Sequence, residues 1–151
     1  PERAGGLPAG DLARLCFSGR YTLQDLRKRL VGKGGLVAYT GESDVRKVKA
    51  LIAGGDESAA LAYRSMAFQV AKEIGACAAA MGGKVDAILL TGGVAHDADF
   101  VGMVTKKIQW IAPVLLYPGE DELLALAEGA MRVLRKEETP LRYGDFVKAE
   151  G

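Results

Sequence analysis

Val85-Asp86-Ala87-Ile88-Leu89-Leu90-Thr91-Gly92-Gly93-Val94-Ala95-His96-Asp97 carries a near-continuous apolar run into two glycines and then a helix start. The run over 85–91 has the pattern of a parallel strand buried on both faces. A helix follows from about 97 to 109, with Val101, Val104 and Ile108 turned inward. A second buried strand is expected at 113–117. Pro118 and Gly119 then turn the chain into a last helix over about 120–135, whose apolar stripe is Leu123, Leu126, Ala127, Ala130, Met131 and Leu134. Strand, helix, strand and helix in this order predict a right-handed parallel α/β unit.

Upstream, residues 1–10 are rich in Gly and Pro and read as loop. A short helix over 11–17 places Leu12, Leu15 and Cys16 toward the core. Thr22 opens the next helix with a Thr22-x-x-Asp25 capping box and an apolar stripe of Leu23, Leu26 and Leu30; Gly32, Gly34 and Gly35 end it. Residues 36–39 read as a short strand or an extended connector. Ser43 caps a further helix that Gly54 and Gly55 terminate. Asp56 opens the longest helix, to about Met81, with Tyr63, Ala67, Val70, Ile74, Cys77 and Met81 on one face. Its alanine-dense second half allows close packing and makes it central. Two strands are few for so many helices, and the chain opens at Pro1 with no methionine, so the reading is that of a piece of a longer chain. Residues 139–151 lack periodicity and read as a surface tail.

Composition narrows the function classes. The 151 residues hold 20 Lys and Arg against 19 Asp and Glu, which gives no broad pull toward nucleic acid or an anionic membrane. Apolar residues make up 49%, enough to bury a core, and no apolar run approaches a bilayer span. No signal peptide opens the chain. Cys16 and Cys77 stand far apart, in no CxxC spacing, and read as reduced core residues. These features favour the cytoplasm.

Three stretches carry possible chemistry. At Thr91-Gly92-Gly93-Val94, glycine permits torsions closed to other residues and lets a ligand touch bare main chain, while the following helix offers unpaired N–H groups. A nucleotide phosphate or the adenosine next to it fits there; a plain tight turn fits equally. The pattern is neither GxGxxG nor a P-loop. At Tyr117-Pro118-Gly119-Glu120-Asp121-Glu122, acids open a helix at the C-terminal end of the second strand, where α/β proteins bind ligands. They can hold water around a nucleotide-bound magnesium, or merely satisfy the helix dipole. Arg3, beside Gly5 and Gly6, can reach a transferring phosphoryl group or be no more than a chain end. His96, the one histidine, has no ligand-spaced partner and reads as a bystander near the turn. Trp110 reads as core or helix-end packing.

Taken together, ERAGGLPAGDLARLCFSGRYT (2–22), LVGKGGLVAYTGESD (30–44), MAFQVAKEIGA (66–76), VDAILLTGGVAHD (85–97), WIAPVLLYPGEDELLALAEGA (110–130) and MRVLR (131–135) resemble the C-terminal part of the acetokinase family, and within it the butyrate kinases. The resemblance spans nearly the whole chain. It implies a partial ribonuclease-H-like (actin-like ATPase) α/β domain, with residues 1–138 as the nucleotide-binding part of a two-lobed carboxylate kinase. It implies transfer of phosphoryl from ATP to butanoate, giving butanoyl phosphate and ADP, with magnesium. By similarity, Thr91, Gly92, Gly93 and Val94 correspond to the adenosine motif, and Gly93, Val94 and Asp97 fall on adenine contacts. Arg3 falls on the arginine of the Arg-Ser-Gly pattern that stabilises the transferring group. Asp121 and Glu122 align with an acidic position linked to magnesium.

Departures are Ala4 in place of the usual serine and Ala95-His96-Asp97-Ala98 without the common serine. Members of the family are more than twice as long, and their first phosphate-binding hairpin, catalytic histidine and catalytic aspartate have no counterpart in these residues. The expected partners are a short-chain fatty acid, the N-terminal part of the same enzyme and further copies in a homo-oligomer, with no nucleic acid or membrane. A non-catalytic subdomain for oligomer contacts, or a kinase of branched acids such as isobutyrate, is the alternative. A carboxylate is already ionised at neutral pH, so alignment and charge neutralisation, not a general base, are the tasks expected of the enzyme.

Overall fold

The computed structural model describes residues 1–119 and 121–140. Pro1–Pro118 forms one compact unit, and a second begins at Gly119. The first unit contains α1 (Ala9–Cys16), α2 (Leu23–Leu30), α3 (Gly35–Thr40), α4 (Val45–Ala53), α5 (Glu57–Ala80), β1 (Ile88–Gly92), a 3-10 turn (Gly93–His96), α6 (Ala98–Ile108) and β2 (Val114–Pro118). The second contains α7 (Glu122–Leu134). The tail expected from residue 139 lies, from residue 141 onward, outside the described residues.

The core gathers on α5. Ala59, Ala67 and Ala71 are buried along it and, lacking bulk, let α3, α4 and α6 come close. Val48 from α4 and Val104 from α6 are fully buried against that face, and Ile108 nearly so, each worth about 1.5–3 kcal/mol of removed apolar surface. Tyr63 meets Phe100 ring to ring, with centroids 6.0 Å apart and planes tilted by 60°. The buried line runs through Ala67, Ala71 and Ala78, four or seven residues apart, so the expected face holds as far as Ile74 and then turns away from Cys77 and Met81. Cys77 is therefore exposed. So is Cys16, on a helix that buries no residue, and neither cysteine is the core residue expected.

β1 and β2 pair in parallel, Ile88 opposite Val114 through Gly92 opposite Pro118. Only one face of this two-stranded sheet is packed. Ile88 joins the core, with Leu90 and Val114 beside it, whereas Leu89 is 58% and Tyr117 58% exposed. The expectation of burial on both faces is thus corrected, because no second layer covers the outer face among the described residues. The stripe expected on α7 is likewise open: Leu123 is 85% and Leu126 70% exposed.

Helix starts follow local chemistry closely. Thr22 and Asp25 form the reciprocal capping box, with Asp25 Oδ2 accepting from the Thr22 N–H at 3.1 Å. Asp56 caps α5 by accepting from the Ala59 N–H at 2.9 Å. The cap of α4 is Asp44, not Ser43; its carboxylate accepts from the Arg46 N–H and from the Arg46 guanidinium at 2.7 Å, which holds it down to about pKa 2. Residues 36–39 are helical rather than extended. Gly34 is the N-cap of α3, and the Thr40 hydroxyl donates back to Leu36 O at 2.8 Å before Gly41 ends the helix at φ +74°. Trp110 stands 77% exposed at the end of α6, its indole N–H donating to Lys107 O, which is the helix-end alternative and not the core one. No helix among the described residues is long and apolar enough to cross a membrane.

Candidate functional site

The double-glycine turn is built as its residue types demand. Gly92 ends β1 at φ +77°, a conformation L side chains resist, and a Cβ placed there would meet nothing within 4 Å. Bare main chain therefore faces open space at the C-terminal edge of the strand. Thr91 and Gly93 are exposed, Val94 half-buried and Ala95 buried, so Ala95 anchors a turn whose first residues stay accessible. His96 is exposed beside them.

Asp97 closes the turn and caps α6. Its Oδ1 accepts from the Asp99 N–H at 3.2 Å and the Phe100 N–H at 3.4 Å. The same oxygen pairs with Lys49 Nζ from α4 at 2.9 Å, and Oδ2 accepts the hydroxyl proton of Tyr63 from α5. Lys49 also reaches Asp99 Oδ2 at 2.6 Å. Burial pushes the Asp97 carboxyl up, but the Tyr63 and Lys49 hydrogen bonds outweigh it and leave the group below its ordinary value. Burial, then the Asp97 hydrogen bond, drives the Tyr63 hydroxyl well above its usual value. The bonds to Asp99 and Asp97 raise Lys49. Beside this network lies a depression of about 320 Å³ lined by Lys49, Ile52, Tyr63, Asp99 and Met103.

Thr91, Gly92, Gly93, Val94 and Asp97 are thus brought together in one turn. Both carboxylate oxygens of Asp97 are engaged within the protein. Sequence reading missed Lys49 and Tyr63, which reach Asp97 from 48 and 34 residues away. Tyr63 lies on the core face of its helix, and its terminal hydroxyl is the one local sign of a polar partner.

Arg3 stands on a different element. It bridges Val31 in antiparallel fashion, and the segment around it is pinned rather than loose. Ala4 N–H donates to Leu30 O at 3.0 Å, Gly32 and Gly34 N–H both donate to Glu2 O at 3.0 Å, and Leu36 N–H donates to Pro1 O at 2.7 Å. Gly34 and Gly35 make this possible. A Cβ on Gly35 would stand 2.5 Å from Pro1 O and 2.6 Å from Arg3 O, and one on Gly34 would stand 2.7 Å from Ala4 N. The Arg3 side chain is exposed.

Asp121 and Glu122 begin α7 in the second unit, exposed, and Asp121 makes no side-chain cap bond. Among the described residues no group of three or more His, Cys, Asp or Glu could hold a metal directly. Two adjacent carboxylates are hard-oxygen donors suited to magnesium only through water or together with oxygens from another molecule.

The family model described as the Acetokinase family matches residues 2–138. The fold is similar to that of acetate kinase from Porphyromonas gingivalis, with a TM-score of 0.77 and 24% identity over 88% of this chain and 40% of that one. It is also similar to that of a propionate kinase from Francisella tularensis subsp. tularensis, with a TM-score of 0.68 and 22% identity over 81% of this chain and 37% of that one. The parallel strands flanked by helices are therefore those of the acetate kinase fold. The chain spans about two fifths of the length of these relatives. With a family match running through all but its first residue and its last segment, this chain belongs to the acetokinase family.

Proposed function

We propose that this chain is the nucleotide-binding part of a cytoplasmic carboxylate kinase that transfers the γ-phosphoryl group of magnesium-bound ATP to butanoate. A carboxylate oxygen attacks the γ-phosphorus in line, the bond from that phosphorus to the oxygen of ADP breaks, and butanoyl phosphate and ADP leave. The observation that supports this most is the open main chain at Gly92, set at the end of a parallel strand and followed by a capped helix. In this reading residues 91–94 receive the adenosine, and Asp97 serves by holding the turn. Arg3 neutralises charge on the phosphoryl group in flight, a role for which a positioned arginine is worth roughly a thousandfold or more. Asp121 and Glu122, at the start of α7, would order water around a nucleotide-bound magnesium. The acid-binding residues belong to a complementary N-terminal part of the same enzyme.

The test is hydroxylamine trapping of the acyl phosphate formed from ATP and acetate, propionate, butanoate or isobutyrate by the assembled enzyme. Butanoate is expected to give the highest kcat/KM; a flat profile or a preference for acetate would remove the specificity claimed. A second reading, a subdomain for oligomer contacts, draws on the open apolar stripe of α7. An interaction module associates in light scattering and does not bind ADP; the nucleotide-binding part does bind it.

A further inference from the structure

Helix caps are ordinarily local affairs. Thr22 is held by Asp25 of its own helix, Asp44 by Arg46 of its own helix, and among the described residues the Asp56 side chain bonds only the start of α5. Among the described residues Asp97 is the cap that side chains of other helices also grip. Lys49 arrives from α4 and Tyr63 from α5, and each occupies a different oxygen of the carboxylate. Tyr63 is buried and wedged against Phe100, so its hydroxyl cannot easily swing away.

The position of Asp97 gives this grip a consequence. The turn between β1 and α6 has four residues, Gly93–His96. At one end Gly92 pairs with Pro118 across the sheet. At the other, the Asp97 N–H donates to Val94 O at 3.0 Å while its side chain is held from three directions. A four-residue turn clamped at both ends has few other shapes to adopt, and less ordering remains for a ligand to impose.

We propose that Lys49 and Tyr63 are positioning residues for the nucleotide: by holding Asp97 they keep the 93–96 turn in the one conformation that receives ADP. This rests on the reading of residues 91–94 as the nucleotide contact. The competing role is that of a brace, which lowers stability when removed and leaves the affinity of the folded protein untouched.

The experiment is a calorimetric ADP titration of the 151-residue chain and its variants, each well below its own melting temperature. Tyr63→Phe removes one hydroxyl and keeps the ring on Phe100; Lys49→Met keeps the aliphatic stem and removes the charge. Each is expected to raise the ADP Kd roughly tenfold, the loss of one hydrogen bond to a charged group acting through the competent population. The double variant should lose less than the product of the two, because both act through one carboxylate. Lys49→Arg should restore binding to within about threefold of the parent. Unchanged Kd in both single variants with lowered melting temperatures would overturn the inference and leave the site reading standing. A parent chain that binds no ADP would overturn both together. The Lys49 side chain is 41% exposed, so its two variants carry the test if Tyr63→Phe does not fold.

Discussion

Replacing Gly35 with alanine should detach the segment that carries Arg3. The new Cβ would lie 2.5 and 2.6 Å from two main-chain oxygens, Pro1 O and Arg3 O, neither of which can rotate out of the way as a side chain could. The segment must shift by several tenths of an ångström or more, which stretches the four backbone hydrogen bonds tying residues 1–4 to Leu30, Gly32, Gly34 and Leu36. Left-handed strain at φ +55° adds about 1–2 kcal/mol. Loss of two or three of the hydrogen bonds adds about 1 kcal/mol each, for a total of roughly 3–5 kcal/mol. That is a large share of a domain's usual ~5–15 kcal/mol and lowers the melting temperature by about 10–20 °C. Gly41→Ala is the control: φ there is +74° with nothing within 4 Å of the added Cβ, so strain alone operates, at about 1–2 kcal/mol. Calorimetry gives the melting temperatures, and hydrogen exchange at the amides of Gly32, Gly34 and Leu36 shows whether the segment has left. Equal melting of the two variants with those amides still protected would refute the claim that the Gly34-Gly35 passage holds Arg3 in place.

Three further outcomes are expected. Arg3→Ala in the assembled kinase should cut kcat by about a thousandfold with ATP KM nearly unchanged, the signature of an interaction made in the transition state; a normal kcat removes Arg3 from the mechanism. Gly93→Val should weaken ADP binding by at least about tenfold in the folded protein, since a branched side chain would crowd a ligand held against this turn; parent-like affinity in calorimetry would misplace the site. The Asp97 network should confer stability across a wide pH window. Its carboxyl is depressed below 3.8, so that contribution is present above this value and fades as pH falls through the lower folded-state value. Lys49 and Tyr63 are raised above 10.5 and 10.0, so theirs is present below these values and fades as pH rises through the folded-state ones. Tyr63→Phe should therefore flatten the alkaline edge of a melting-temperature profile, and an unchanged edge would deny the coupling.

Local chemistry made much of this fold legible. Thr22 and Asp56 announced their helices because a cap is written within four residues, and the run from Val85 into Gly92-Gly93 announced a strand entering a turn. Residues 36–39 were ambiguous because a short apolar run suits either backbone; the glycines expected only to end α2 also begin α3. Cys77 escapes the core because a stripe at alternating steps of four and three drifts from the true face toward the end of a 24-residue helix. The outer face of the sheet and the stripe of α7 read as core because apolar pattern tells which face seeks cover, not which molecule supplies it. At the candidate site the turn was visible and its support was not. Lys49 and Tyr63 meet Asp97 only after α4, α5 and α6 have packed, and no local spacing encodes that meeting.

The most direct measurement is an ADP titration of the isotopically labelled chain followed through its backbone amide resonances. The largest shifts should fall on Gly92, Gly93, Val94 and Ala95, with the α2 amides unmoved. Saturable shifts centred on another element, or none at millimolar ADP, would contradict the placement of the nucleotide at the end of β1.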